Sequence, residues 1–100
     1  MSLSRRVLLA LPVALAACGD PTGVTSLTGD ATAGKALYAA NCQSCHGPSG
    51  TARANAAGEA KSDPAEAAAV ILNGKEEMPA YASTLSHQQV ADLLAYLKTL

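Results

Sequence analysis

The hydrophobic and polar positions along this chain divide it into segments of distinct kinds. Val7 to Ala17 is an apolar run of eleven residues behind the pair Arg5 and Arg6. Residues 19–29, GDPTGVTSLTG, offer only Val24 and Leu27 among Gly, Thr, Ser and Pro, and predict a flexible linker. A first helix is predicted from about Ala31 to Ala40, capped by Asp30, with Gly34, Leu37 and Tyr38 on one face. A glycine inside a helix costs about 1 kcal/mol relative to alanine, so Gly34 predicts a close crossing by another helix. Gly47-Pro48-Ser49-Gly50 is a turn signal. Residues 51–62 are small, polar and alanine-rich with no periodic apolar face, and read as a loop. A second helix opens with Asp63 as cap and Pro64 at its first position. It runs through Ala67, Val70 and Ile71 and stops near Asn73-Gly74. Lys75 to Ser83 reads as a loop. The last helix begins with a capping box, Ser86 and Gln89, and presents Val90, Leu93, Leu94, Leu97 and Leu100 on one face. No segment alternates as a strand does. The pattern predicts an all-α fold with three main helices.

Composition narrows the picture. One hundred residues allow at most one domain. Phe and Trp are absent and there are three Tyr, so large side chains for a core are scarce. Domains below about 70–80 residues usually need a staple such as disulfides or a metal. The formal net charge is −1, which gives no sign of nucleic-acid binding. Without Arg5 and Arg6, five Lys and Arg remain against eight Asp and Glu, a net of −3.

The run Cys42-Gln43-Ser44-Cys45-His46 supplies the chemistry. C-x-x-C-H is the attachment pattern of a c-type haem. Two thiols three apart reach the two vinyl groups on one porphyrin edge, and the histidine that follows is carried to one face of the iron. Two other readings compete. A thioredoxin-like C-x-x-C belongs in a βαβ pattern and does not call for the histidine. A four-ligand zinc site needs two further ligands at suitable spacing, and the chain offers only Cys18 and His87. Haem is the preferred reading, and its covalent attachment would be the staple.

The N-terminus reads as an address. Eleven apolar residues are too few to span a bilayer, which takes about 20, and they fit the h-region of a signal peptide over residues 1–17. The stretch Leu15-Ala16-Ala17-Cys18 resembles the lipobox of bacterial lipoproteins, a resemblance that implies lipid attachment at Cys18, which then begins the mature chain. An ordinary signal peptide with an incidental Cys18 is the alternative; it would leave an unpaired thiol in an oxidising compartment. Ser4-Arg5-Arg6-Val7-Leu8-Leu9 also looks like a twin-arginine signal. The domains expected are therefore a signal peptide (1–17), a lipidated N-terminus and linker (18–29) and a haem domain (30–100). As a coil, the eleven residues 19–29 would span about 20 Å root-mean-square, and roughly 35–40 Å when stretched.

Beyond His46, the iron has a sixth position. Met78 is the candidate, the one thioether left once Met1 is removed, set in a loop between Glu76-Glu77 and Pro79. The competitor is His87, at the first turn of the last helix.

Over about residues 30–100 the sequence resembles the small bacterial class I cytochromes c. The matching motifs are Gly34-Lys35-x-Leu37-Tyr38, Cys42-x-x-Cys45-His46-Gly47, Asn73-Gly74 with Met78-Pro79, and Leu93-x-x-Tyr96-Leu97. The resemblance implies one haem c held by Cys42 and Cys45, iron ligated by His46 and Met78, and one-electron transfer with no substrate turnover. It implies attachment of the haem outside the cytoplasm, which favours export of an unfolded chain over the twin-arginine route. It also implies that the first and last helices cross, with Gly34 and Tyr38 against Leu93 and Tyr96. Two departures matter. The proline whose carbonyl usually holds the free ring nitrogen of the haem histidine is missing from Asn55 to Gly58, so the partner of His46 is unassigned. The tryptophan often found near a propionate is missing too, with Tyr81 the candidate to replace it. Leu37, Val70, Ile71, Leu93, Leu94 and Leu97 are the expected haem liners.

The expectation is a monomeric, membrane-tethered electron carrier, periplasmic or on the outer face of the cytoplasmic membrane. It would link a quinol-oxidising complex or dehydrogenase to an oxidase or reductase. A fixed electron-inlet subunit of one enzyme is a variant of that reading. A haem sensor or peroxidase with an open sixth site, using His87 as the distal group, is the alternative of a different class.

Overall fold

A computed structural model describes residues 19–100; the signal-like run and Cys18 lie outside the described residues. Six helices follow in order: α1 (Thr22–Thr25), α2 (Ala31–Asn41), α3 (Gln43–His46), α4 (Ala56–Ser62), α5 (Pro64–Asn73) and α6 (His87–Leu97). The three longest are the three expected. Among the described residues the sole β-type pairing is the antiparallel bridge between Lys75 and Met78. The fold is all-α.

The caps act as the sequence suggests. Asp30 accepts from the amides of Thr32 (2.9 Å) and Ala33 (3.4 Å), satisfying donors that the first turn of a helix leaves free. Ser86 and Gln89 exchange the two bonds of a capping box. Asp63 accepts from the Glu66 amide with Pro64 behind it. The α2–α6 pair is the most extensive helix contact. Gly34 is the reason it can be close: a Cβ there would run into the Asp92 carbonyl and lie 2.9 Å from Tyr96 Cβ. The Tyr38 and Tyr96 rings meet beside it, centroids 5.4 Å apart at 52°. Tyr38, Leu72, Val90 and Leu93 are fully buried around this crossing, with α5 completing the core.

Two expectations are corrected. The reading of 51–62 as a loop fails for 56–62, which form α4. Asn55 caps it by accepting from the Gly58 amide at 2.9 Å, and Ala57 and Ala60 are buried. Its core-facing side consists of alanines, which carry almost no hydrophobic signal in a sequence pattern. The reading of 19–29 as a flexible linker also fails, because α1 forms within it and Val24, 1% exposed, enters the core. A lone valine between glycines has no periodicity to betray it.

Candidate functional site

The cysteine-histidine run is one tight turn. α2 closes with the Cys42 amide on the Tyr38 carbonyl (2.9 Å), and the chain turns there into α3. The amides of Cys45 and His46 both return to the Cys42 carbonyl, at 3.2 and 2.9 Å. Positions i, i+3 and i+4 of a turn share a face, so Cys42, Cys45 and His46 are grouped together. Cys42 is half-buried against the core and Cys45 is exposed. Burial, and secondarily the neighbouring Cys45, pushes the Cys42 thiol above its ordinary value. No group of three or more His, Cys, Asp or Glu able to hold a metal ion occurs among the described residues.

His46 carries the telling atom. Its Nδ1 is buried with no hydrogen-bond partner, an expensive condition for a ring nitrogen. This agrees with the missing proline between Asn55 and Gly58. The histidine backbone, by contrast, is well held: its carbonyl accepts from Ala52 (3.0 Å), and Tyr38 donates its hydroxyl to the next carbonyl, Gly47.

Met78 stands on a small hairpin at the end of α5. The Lys75 amide donates to the Met78 carbonyl (3.2 Å) and the Met78 amide to the Lys75 carbonyl (2.9 Å), with Glu76 in a left-handed conformation (φ 55°). Gly74 (φ 77°) makes the entry possible, since a Cβ there would lie 2.8 Å from the Met78 carbonyl oxygen. The chain then folds back, and the Tyr81 and Ala82 amides satisfy the Ile71 and Leu72 carbonyls that the end of α5 leaves open (2.9 and 3.0 Å). Met78 itself is half-buried against the core.

Two side-chain contacts clip this hairpin region to the cysteine side. Tyr81 donates its hydroxyl to the Asn41 carbonyl (3.2 Å), the residue before Cys42. Arg53, seven residues past His46, pairs with Glu77 at 3.4 Å, both largely exposed. These contacts join the residues around Met78 to Asn41 and to Arg53 on either side of the Cys42–His46 turn. Tyr81, expected near a propionate, donates a hydrogen bond from its hydroxyl to the Asn41 carbonyl. His87 packs against α1: a Cβ on Gly23 would lie 2.5 Å from its Nδ1. Of the expected liners, Ile71, Leu93, Leu94 and Leu97 are buried, whereas Leu37 and Val70 are half-buried. Sequence reasoning missed Asn41 and the Arg53–Glu77 pair, for which no local pattern exists. It also missed Asp92, buried in α6, whose Oδ1 accepts from the Asp30 amide (2.8 Å) and Gln88 Nε2 (2.9 Å).

Two thiols and an imidazole on one turn suit a covalently held haem. The fold and site define a small monohaem c-type cytochrome, an electron carrier rather than an enzyme. The chain belongs to the cytochrome c family: residues 29–97 match the family described as cytochrome c oxidase, cbb3-type, subunit III. Cytochrome c6 of Synechocystis sp. is 34% identical over 83 residues, covering 75% of this chain and 69% of that protein. Cytochrome c6 of Picosynechococcus sp. is 32% identical over 105 residues, covering 90% of each. Cytochrome c6 of Leptolyngbya boryana is 36% identical over 76 residues, covering 68% of this chain and 89% of its own. No solved structure matches. The family carries a covalently bound c-type haem, and so does this chain.

Proposed function

We propose that the chain is a one-electron carrier with haem c bonded through Cys42 and Cys45, and with His46 and Met78 as the two axial ligands. The observation that carries this is the joint placement of the Cys42–His46 turn and the Met78 hairpin, held together by Tyr81–Asn41 and Arg53–Glu77. Bound there, the haem supplies a one-electron iron couple. The protein's part is to hold and tune it. His46 is fixed through its backbone. Met78 would hold the iron through a soft sulfur, which favours the reduced state relative to a second histidine. With both side chains on the iron, the site would exchange electrons rather than bind a substrate or oxygen. His87 lies against Gly23 in α1.

The wider setting follows the same reading. Residues 1–17 export the chain and Cys18 takes a lipid, placing the protein in the periplasm or on the outer face of the cytoplasmic membrane. It passes electrons from a quinol-oxidising complex or dehydrogenase to an oxidase or reductase. The match to an oxidase subunit family favours one refinement, a fixed electron inlet to a single complex, which co-purification with that complex would show. No charged side chain lies between Lys35 and Arg53, and Gln43, Ser44, Cys45, Pro48 and Ser49 are exposed. Docking at this uncharged face depends weakly on salt.

The test is the visible spectrum of the reduced protein before and after carbon monoxide. It stays unchanged in the native protein and shifts promptly in Met78→Ala. A prompt shift in the native protein overturns the Met78 assignment and restores the sensor or peroxidase reading.

A further inference from the structure

Residues 19–28 precede the family match at 29–97, yet they are stitched to the folded domain along their length. At one end the Asp30 amide donates to Asp92 Oδ1 (2.8 Å), and Gln88 Nε2 donates to the Thr28 carbonyl (2.9 Å). Gly29 passes so near α6 that a Cβ would strike the Ala91 carbonyl and lie 2.9 Å from Ala95 Cβ. In the middle, Val24 is buried where α1 meets α5 and α6, and Gly23 lies on His87. At the other end Asn73 Nδ2 donates to the Gly19 carbonyl (3.2 Å). The ties recur at residues 19, 23, 24, 28 and 29, so the stretch has none of the roughly 20 Å wander of a free coil.

The geometry has a consequence for any group carried on residue 18. Neighbouring Cα atoms are about 3.8 Å apart, so such a group leaves the protein beside Gly19. That point adjoins Asn73, the last residue of α5, directly before Gly74 and the Met78 hairpin. We propose that residues 19–29 are a docked strap that makes the Cys18 lipid a rigid mount. The bilayer lies against the Gly19–Asn73 corner, and the hairpin holding Met78 stays at one fixed distance from the lipid headgroups. This inference rests on the lipid-anchor reading above. Lys75 is followed by Glu76 and Glu77 in that hairpin, a net negative charge, so the covalent lipid and the strap set the orientation rather than attraction to anionic headgroups.

The test uses the full-length haem-loaded protein, purified from membranes, in phosphatidylcholine vesicles bearing a headgroup dye that the haem quenches by energy transfer. The expected result is a single narrow dye–haem distance distribution, which broadens in Val24→Asp and in the milder surface variant Asn73→Ala. Amide exchange at Val24, Thr25 and Asp30 in the native protein is expected to be about tenfold or more slower than in a free chain. A broad distribution in the native protein, or unprotected amides there, overturns the strap while leaving the anchor intact. Absence of a lipid adduct at Cys18 by mass spectrometry overturns the anchor and the mount together, whereas protected amides would still distinguish a docked strap.

Discussion

Where α2 crosses α6, every surface is closed by another part of the same chain. Gly34 meets the Asp92 carbonyl, Tyr38 meets Tyr96, and Val90 and Leu93 are fully buried. On the other side, the polypeptide stops short. Leu37, Cys42, Met78 and Tyr81 are only half-buried at the rim of the core, and His46 Nδ1 is buried without a partner. The first region is a finished protein interior. The second is the edge of one, built from short hydrogen-bonded turns. A chain with no Phe or Trp can close one such region with its own side chains. In the function proposed above, the prosthetic group would complete the other.

The largest expected effect breaks the second region. Cys42→Ser with Cys45→Ser removes both bonding thiols, so no haem-stained band survives on a denaturing gel and the far-ultraviolet helical signal falls by about half or more. Next comes the crossing. Gly34→Val places methyl groups where the Asp92 carbonyl and Tyr96 lie, and is expected to cost about 3 kcal/mol in a denaturant titration. The haem spectrum should change little at temperatures where the variant stays folded. If Gly34→Val instead disturbs the spectrum as strongly as the stability, the two regions are not separable. A smaller effect belongs to the clip between them. Tyr81→Phe loses the bond to the Asn41 carbonyl and is expected to cost about 1 kcal/mol, with a shift in the redox midpoint measured by titration. Smallest is Asp30→Ala, which removes the α2 cap for about 1 kcal/mol or less and leaves the midpoint where it was.

The same contrast explains what could be read from the sequence. α2, α5 and α6 announce themselves because capping residues and leucine-rich faces have local signatures. Asp30, Asp63-Pro64 and Ser86-x-x-Gln89 mark starts to within a residue. Gly34 and Tyr38 marked the crossing because a glycine in mid-helix has few other uses. α4 was hidden: its buried face is Ala57 and Ala60, too small to stand out among exposed alanines. The strap was hidden too, since Val24 is one apolar residue and its other ties use glycine backbone and carbonyl groups that any sequence carries. At the site, the motif named Cys42, Cys45 and His46 as a unit, and scarcity singled out Met78. The Tyr81–Asn41 and Arg53–Glu77 clips join residues 40 and 24 positions apart, and only the folded chain reveals them.

The pairing of the first long helix with the last also sets an order of events in time. α2 cannot find its partner until residues 87–97 have been made and have left the ribosome. Contacts of such long sequence separation close late and slowly. The Cys42–His46 turn therefore spends the whole synthesis of the remaining chain without the interior that will later back it. During that interval both thiols are open to whatever machinery modifies them. A pairing that spans most of the described chain leaves the Cys42–His46 turn dependent on a helix made long after it.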